Sequence, residues 1–154
     1  MKKYLTGMVA LSIAGLVTQT ALAAGTTSNL KVVVNGISNP GGVIRIALFN
    51  SGTAYNNSRY SAAGAYQTAT TSIHGNSAST SFSNLPYGNY GIKVFQDMDN
   101  SGTLKVNGMG IPQEPYGFSN NASATWHMPS FSAIQFQVNQ PNSMQTITLQ
   151  HAGK

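Results

Sequence analysis

Residues 82–97, FSNLPYGNYGIKVFQD, combine a turn with the strand that follows it. Proline and glycine in the letters LPYG favour a turn, because proline presets its φ angle and glycine adopts conformations that other residues avoid. Beyond the turn, Tyr90, Ile92 and Val94 recur with a period of two, which puts them on one face of a β-strand and Lys93 on the other. The stretch therefore predicts a turn that leads into a strand with one face in the core.

The same alternation recurs along the chain. Residues 43–50, VIRIALFN, are apolar on nearly both faces, as is typical of a central strand. Residues 51–66 form a long polar connection, and residues 98–129 form an irregular stretch that is too long for an ordinary loop. The other strand segments are residues 30–37, 67–74, 77–85, 132–138 and 145–150.

Seven short strands separated by turn signals predict an all-β fold, namely an antiparallel immunoglobulin-like sandwich with one long irregular loop. A turn at Gly75–Asn76 is expected to join the third and fourth strands. No window of helical length is free of glycine, proline and asparagine, so no helix is predicted.

The N-terminus has the pattern of an export signal. Two lysines follow the first methionine, residues 5–17 are mainly apolar, and Ala21-Leu22-Ala23 matches the small-x-small site of signal peptidase. An uncleaved membrane anchor is the alternative, but polar residues at 18–20 dilute the apolar stretch. We predict a signal peptide over residues 1–23, a single domain over residues 24–154, and a periplasmic or secreted protein.

Charge and cysteine content exclude several classes of function. The chain has no cysteine, which excludes disulfides, thiolate metal sites and thiol catalysis. Without the signal peptide, six scattered basic residues and three acids give a net charge of +3. A nucleic-acid-binding protein would present a basic stripe, so nucleic acid is not an expected partner. No segment after the signal peptide is apolar enough to span a membrane, and the weakly charged surface permits self-association.

Two of the three carboxylates lie in residues 96–104, QDMDNSGTL. Asp97, Asp99 and Ser101 occupy alternate positions, a glycine stands sixth from Asp97, and the main-chain carbonyl of Thr103 comes next. Calcium takes about six to eight oxygen ligands, and this arrangement matches the first half of an EF-hand-type loop. The segment is therefore a candidate calcium site.

The second half of that loop pattern is missing, because position twelve is Gly108 in place of an acid. Glu114 can supply a carboxylate only if residues 105–115 fold back. Asp, Asn, Ser and Gly are also the residues of a type I turn or an Asx-turn, and Lys105 would repel a cation. The turn is the favoured interpretation, and no cofactor is expected with it; the alternative is a calcium ion held by Asp97, Asp99, Ser101, Thr103 and Glu114.

Glu114 is the one acid in the aromatic-rich letters PQEPYGFS. An enzyme would use it as a general base, together with Asp97 and Asp99. A carboxylate without a neighbouring histidine or nucleophile is weak support for hydrolysis, so catalysis is the less favoured hypothesis. The favoured role of Glu114 is to accept hydrogen bonds from N–H groups of the long loop.

The turn and strand of residues 82–95, followed by the Asp-x-Asp turn, resemble the prealbumin-like β-sandwiches. That group includes the carboxypeptidase regulatory-like domains and the B-type repeats of bacterial adhesins. The resemblance implies a sandwich in which a Leu-Pro-x-Gly-x-Tyr turn opens a strand through the core.

A second resemblance covers nearly the whole chain after the signal peptide. Residues 94–122, followed by PSFSAIQFQV at 129–138, are similar to the signature of a family of exported bacterial proteins, domain of unknown function 2141. The pattern Gly-x-Pro-x-Glu-x-Tyr-Gly-Phe-Ser-Asn-Asn falls on residues 110–121. Lys105 departs from the pattern, since members often carry an acid there. The resemblance implies the fold and export, and it brings no established activity.

We therefore expect a non-catalytic binding or structural module of the cell envelope, with a protein or a glycan as partner. The long loop and the exposed sheet edges are its expected working surfaces, because sheet edges accept added strands. The alternatives are a calcium-stabilised module and, less favoured, an enzyme that uses Glu114. The candidate binding surface consists of Tyr116, Phe118, Asn120, Asn121 and Trp126, the last of which is alternatively a plug of one sandwich end.

Overall fold

The computed structural model describes residues 26–124 and 127–152. The predicted signal peptide over residues 1–23 and the candidate contact residue Trp126 lie outside these ranges. The described residues contain no helix that is long and apolar enough to cross a lipid bilayer.

The described residues form eight strands, two short α-helices and one 3-10 turn. The strands are β1 (Thr27–Asn35), β2 (Val43–Phe49), β3 (Gln67–Thr71), β4 (Ala78–Pro86), β5 (Gly88–Asp97), β6 (Tyr116–Phe118), β7 (Phe136–Val138) and β8 (Asn142–Thr148). The helices are α1 (Gly52–Ser58) and α2 (Phe131–Ile134), and the 3-10 turn is Ser119–Asn121.

The strands form two sheets that pack into a sandwich. The first sheet has the order β4-β1-β8, and the second has the order β3-β2-β5-β6, with β7 also paired to β5. The prediction of an all-β sandwich is confirmed. All of these strand pairs are antiparallel except β1–β8, which is parallel. This exception was not predicted, because the relative direction of two strands far apart in sequence is set only when the fold brings them together.

The main core lies between the two sheets. The predicted inward face of β5 is confirmed, since Tyr90, Ile92 and Val94 are buried in this core and Lys93 is not part of it. Fully buried residues at such positions typically lose about 2–5 kcal/mol of stability when a Leu or Ile is cut back to Ala. Other large members of this core are Leu30, Val32, Val34, Ile44, Ile46, Leu48, Phe82, Leu85, Val138 and Ile147.

A second core lies on the outer face of the second sheet. It joins β2 and β6 to side chains from both helices, so the helices cover the face of the sheet that points away from the first sheet. The prediction that β2 is a central strand, apolar on nearly both faces, is therefore confirmed. The buried members of the second core are Ala47, Phe49, Tyr55, Tyr116, Phe118 and Ile134.

Helix α1 lies in the connection that the sequence predicts as a polar loop. The Oγ of Ser51 accepts a hydrogen bond from the N–H of Ala54 at 3.4 Å and caps the helix. Tyr55 is fully buried, and its hydroxyl donates to the carbonyl of Pro129 at 2.9 Å. Burial of this ring in the second core stabilises a segment whose glycine and asparagines are poor helix formers.

The predicted strand over residues 132–138 is wrong in its first half. Ser130 caps α2, because its Oγ accepts a hydrogen bond from the N–H of Ala133 at 3.3 Å. The helix packs Ile134 against Gly91 of β5, where a Cβ would lie 2.7 Å from the Ile134 side chain. Only the last three residues of the predicted strand, which form β7, are extended.

The predicted strands over residues 67–74 and 77–85 are present as β3 and β4, but they lie in different sheets. The N–H of His74 donates to the carbonyl of Ser77 at 2.8 Å, which closes the turn expected at Gly75–Asn76. This turn therefore carries the chain from one sheet to the other. The pattern of apolar residues cannot show such a crossover, because the same turn residues would serve a simple hairpin.

Gln96 organises the connection between β1 and β2. Its Nε2 donates to the carbonyl of Asn39 at 2.6 Å and to that of Gly41 at 2.7 Å. Gly42 has a φ of +74°, and a Cβ there would lie 2.1 Å from the carbonyl oxygen of Asp97. The chain passes so close to the end of β5 that only glycine fits.

We expect Gly42→Ala to destabilise the fold more than Gly75→Ala. Gly75 also has a positive φ, +64°, but no atom lies within 4 Å of its missing Cβ, so its substitution tests backbone strain alone. That strain costs about 1–2 kcal/mol, whereas the clash at Gly42 should raise the loss to about 3 kcal/mol or more. Urea unfolding of the two variants measures the difference, and equal losses would contradict the close approach.

Candidate functional site

The three carboxylates of the chain lie together at one end of the second sheet. Asp97 ends β5, Asp99 follows it in the loop, and Glu114 shortly precedes β6. Each places an oxygen within 4.8 Å of the others. Asp97 and Glu114 are buried, with 0% and 3% of their surfaces exposed, whereas Asp99 is exposed. Burial of two carboxylates requires partners for their charges.

The segment that leads to Glu114 folds back as a short hairpin. The N–H of Gln113 donates to the carbonyl of Lys105 at 2.8 Å. The N–H of Asn107 donates to the carbonyl of Ile111 at 2.9 Å. This is the fold-back that Glu114 needs in order to join the two aspartates.

Glu114 connects the two ends of the loop after β5. Its Oε1 accepts a hydrogen bond from the N–H of Met98 at 2.8 Å, and its Oε2 accepts one from the N–H of Lys105 at 2.9 Å. Both oxygens thus hold main-chain donors of the long loop. These contacts agree with the backbone-capping role that the sequence favours for Glu114.

Asp97 orders the turn inside that loop. Its Oδ1 accepts a hydrogen bond from the N–H of Ser101 at 3.0 Å, and its Oδ2 accepts one from the N–H of Gly102 at 2.9 Å. The guanidinium of Arg45, on the neighbouring β2, donates to the same Oδ2 and pairs its charge with the buried carboxylate. The turn therefore has both a hydrogen-bond acceptor and a balanced charge at its centre.

The remaining candidate ligands lie at the surface. The Oδ1 of Asp99 accepts a hydrogen bond from the N–H of Ser101 at 3.1 Å, and the ammonium of Lys105 lies 3.6 Å from its Oδ2. Hydrogen bonding by Ser101, from its side chain and then its backbone, is the main cause that holds the pKa of Asp99 below its usual value. The hydroxyl of Ser101 also donates to the carbonyl of Thr103 at 3.0 Å.

The carboxylate cluster has two chemical uses. As a set of acceptors, it gives partly buried N–H groups of the loop their partners. Each carboxylate oxygen also has more than one lone-pair site, so these bonds leave capacity for a hard cation, which prefers oxygen ligands. Of the predicted calcium ligands, the structure brings together the side chains of Asp97, Asp99 and Glu114. The other two predicted ligands, the Ser101 hydroxyl and the Thr103 carbonyl, are hydrogen-bonded to each other.

The predicted binding surface requires a correction. Tyr116 and Phe118 are only 5% and 6% exposed and belong to the second core, so they do not form an exposed surface, although both line the pocket described below. Burial raises the pKa of the Tyr116 phenol. The error arises because β6 alternates its aromatic rings toward a face that the sequence analysis left uncovered, whereas the helices cover it.

Asn120 and Asn121 are exposed, and their side chains hold the 3-10 turn in place. The Nδ2 of Asn120 donates to the carbonyls of Ala133 at 3.1 Å and Gln135 at 2.9 Å. The Oδ1 of Asn121 accepts a hydrogen bond from the N–H of Thr148 at 2.8 Å. Both residues have positive φ, which asparagine tolerates better than most residues. Trp126, the fifth predicted contact residue, lies outside the described residues.

A pocket of about 160 Å³, here called the outer pocket, lies on the outer face of the second sheet. Its floor is formed by residues of β2, β3, β5 and β6, and its walls come from the residues after α1 and from the loop after β5. The sequence signal for this pocket is the pair Lys93 and Phe95, which occupy alternate positions on the outward face of β5. The residues that matter below are Arg45, Arg59, Tyr60, Lys93, Phe95 and Leu104.

Lys93 is a half-buried cation of the outer pocket. Its ammonium donates to the Oγ of Ser58 at 2.6 Å and to the carbonyl of Arg59 at 3.0 Å, and it lies 5.2 Å from the centre of the Phe49 ring. Burial lowers the pKa of Lys93 to about 8. Among the described residues, no carboxylate forms an ion pair with it. Only polar neighbours and the faces of aromatic rings stabilise its charge.

We expect Glu114→Gln to destabilise the protein by about 1–3 kcal/mol, because an amide nitrogen would face the N–H donor of Met98 or Lys105 in a partly buried hydrogen bond and leave it without an acceptor. The matched control is Asp99→Asn, which changes an exposed carboxylate of the same cluster and should alter stability by no more than about 0.5 kcal/mol. Urea unfolding measures both. Similarly small losses would show that Glu114 does not hold the loop.

The comparisons with known proteins agree with the second resemblance noted in the sequence. A family model described as an uncharacterized protein conserved in bacteria (DUF2141) matches residues 32–146. This range extends from β1 to β8 and includes the carboxylate cluster and the outer pocket. No curated protein and no solved structure matches the chain. Since the match covers most of the sequence, the chain belongs to the DUF2141 family of bacterial proteins.

Proposed function

We propose that the protein is a non-catalytic, exported module of the cell envelope that binds a protein or glycan partner at the outer pocket. The observation that carries this proposal is the pocket itself, about 160 Å³ of space between the second sheet and the connections above it. A cavity of about 150 Å³ is large enough for one benzene ring. The outer pocket therefore suits a single side chain or a single sugar ring of a larger partner.

The use of the buried acids supports a non-catalytic role. A general base needs a carboxylate that can reach substrate, and both oxygens of Glu114 accept hydrogen bonds from main-chain N–H groups. Asp97 accepts hydrogen bonds from two more N–H groups and from Arg45. The acids that an enzyme would use are thus committed to ordering a loop.

Export and self-association follow from the composition. The N-terminal segment over residues 1–23 has the features of a signal peptide, and the remaining chain has few charges to keep copies apart. Met109 is 81% exposed and Ile111 is 42% exposed at the tip of the fold-back hairpin. These side chains give a second copy or another envelope protein an apolar contact beside the outer pocket.

Sedimentation with isolated cell-envelope fragments tests the binding function. We expect the purified protein to sediment with them, and Thr68→Trp, which places a large ring at the edge of the pocket, to abolish this. The matched control is Thr146→Trp, which makes the same substitution at another exposed threonine, in the first sheet. Equal sedimentation of both variants, or no sedimentation of the unmodified protein, would contradict the proposal.

We infer a second candidate function, a calcium-stabilised module, from the three carboxylates that meet within 4.8 Å. Two of them are buried, and the cluster closes a loop that the hairpin brings back onto β5. The pairs with Arg45 and Lys105 reduce the negative charge of the cluster and weaken its attraction for a cation. Binding in the range of about 10⁻⁴ to 10⁻³ M, as in extracellular modules, is the expectation.

Thermal unfolding in EDTA and in calcium tests this candidate. Calcium at about 100 times its dissociation constant should add about 2.7 kcal/mol, which moves the midpoint of a domain of this size by several degrees. Asp99→Asn should remove that shift while the protein stays folded, because Asp99 is exposed. Magnesium at the same concentration controls for ionic strength. Identical midpoints in EDTA and calcium would exclude the calcium-stabilised module.

A further inference from the structure

We propose that the outer pocket recognises a carboxylate carried on a six-membered ring, with Arg59 and Lys93 facing the carboxylate and the apolar walls facing the ring. This inference rests on the proposed function, since it names the chemistry of the group that occupies the same pocket. A glycan partner carries this chemistry as an acidic sugar, and a small aromatic acid is the other source of the same chemistry.

The first argument is the charge around the pocket. Three cations line it, namely Arg45, Arg59 and Lys93. Only Arg45 is paired, with Asp97, and no carboxylate of the described residues pairs with the other two. All three acids of the chain lie in the carboxylate cluster, so the pocket keeps two unpaired positive charges. Arg59 is exposed, whereas Lys93 is half-buried. A partly desolvated cation such as Lys93 is stabilised by an anion, and the pocket therefore complements one.

The second argument is the number of unused donors. An ammonium has three N–H donors, and within the described part of the chain Lys93 gives hydrogen bonds to two acceptors, with ring faces of Phe49 and Tyr55 as its other neighbours. The guanidinium of Arg59 makes no hydrogen bond to the described residues, and it lies 5.5 Å from the centre of the Tyr60 ring. A guanidinium held against a ring presents two parallel N–H groups, which match the two oxygens of a carboxylate.

The third argument is the backbone at Arg59. This residue caps the C-terminal end of α1 with φ of 28° and ψ of −91°, a conformation that favours glycine. Arginine at such a position costs stability, and strained residues of this kind are concentrated at ligand sites. Arg59 and the residue after it, Tyr60, both line the pocket.

The apolar part of the pocket determines the rest of the ligand. Phe95 and Leu104 are partly buried against the second core and line the pocket together with Tyr60. The Tyr60 ring is held in place, since its hydroxyl donates to the carbonyl of Gly110 at 3.0 Å. Rings on the ligand stack on such walls, and the volume of about 160 Å³ limits the ligand to one ring.

Titration of the purified protein, observed by NMR, tests the proposal with benzoate and with glucuronate. Benzamide and glucose are the uncharged analogues of benzoate and glucuronate and serve as controls. We expect saturable binding of at least one acid, with a dissociation constant on the order of 1 mM because the probes have few atoms. The uncharged analogue of that acid should bind at least about tenfold more weakly. Binding of benzoate alone assigns an aromatic acid, and binding of glucuronate alone assigns a sugar acid.

Arg59→Gly is the decisive variant. Glycine relieves the positive φ, so the variant should be at least as stable as the unmodified protein, whereas loss of the guanidinium should weaken acid binding by about tenfold. Lys31→Gln is the matched control, because it removes one positive charge from an exposed position of β1. It should leave acid binding unchanged.

Lys93 provides a second measurement. A bound carboxylate favours the charged ammonium, so the pKa of Lys93 should rise when the acid saturates the protein. This ammonium contacts the main-chain carbonyl of Arg59, and the centre of the Tyr55 ring lies 5.9 Å away from it. Burial raises the pKa of the Tyr55 phenol, so this group does not change its charge near the pKa of Lys93.

Three results would overturn the proposal: no saturable binding of either acid, equal binding of an acid and its uncharged analogue, or binding of the acid by Arg59→Gly as tight as by the unmodified protein. The sedimentation experiment separates this inference from the proposed function. Acid binding without sedimentation retains the carboxylate site and rejects the envelope partner. Sedimentation that Thr68→Trp blocks, without acid binding, retains the partner and rejects the carboxylate.

Discussion

Burial of both faces of the paired strands β2 and β5 is the constraint on which the rest of the structure depends. One face forms the main core with the first sheet, and the other supports the second core under the two helices. A strand pair in the middle of a two-sheet sandwich usually leaves its outer face to solvent. Here Ala47 and Phe49 are buried by helices α1 and α2 and the long connections that contain them. These segments are called the cover below. The helices, the outer pocket and the carboxylate cluster are all parts of that cover.

The cover contains long stretches of main chain that lose water when they pack on the sheet. Their N–H groups need acceptors, and Asp97 and Glu114 provide four of them at the end of β5. Carboxylates are strong acceptors, and burying them is tolerable only because N–H groups and Arg45 surround them. A chain with three acids thus uses two of them to order one loop. This use explains why the same residues suit a turn and resemble half of a calcium loop.

Concentration of the acids at one place has an electrostatic consequence elsewhere. Arg59 and Lys93 stand where the cover meets the sheet, and the acids that would pair with them are already grouped at the end of β5. The outer pocket therefore combines positive charge with apolar walls. Both proposals for this pocket depend on the space above the second sheet and on the two cations that no described carboxylate pairs.

The local sequence was sufficient for features that depend on neighbouring residues. Alternation in residues 88–97 and 43–50 determined the inward faces of β5 and β2, since the period of a strand is independent of its surroundings. The family signature over residues 110–121 likewise identified the family. Only the tertiary structure decided the parallel β1–β8 pair, helix α1, and the burial of Tyr116 and Phe118. Each of these depends on contacts between segments far apart in the chain, which supply the hydrophobic burial that local propensity lacks.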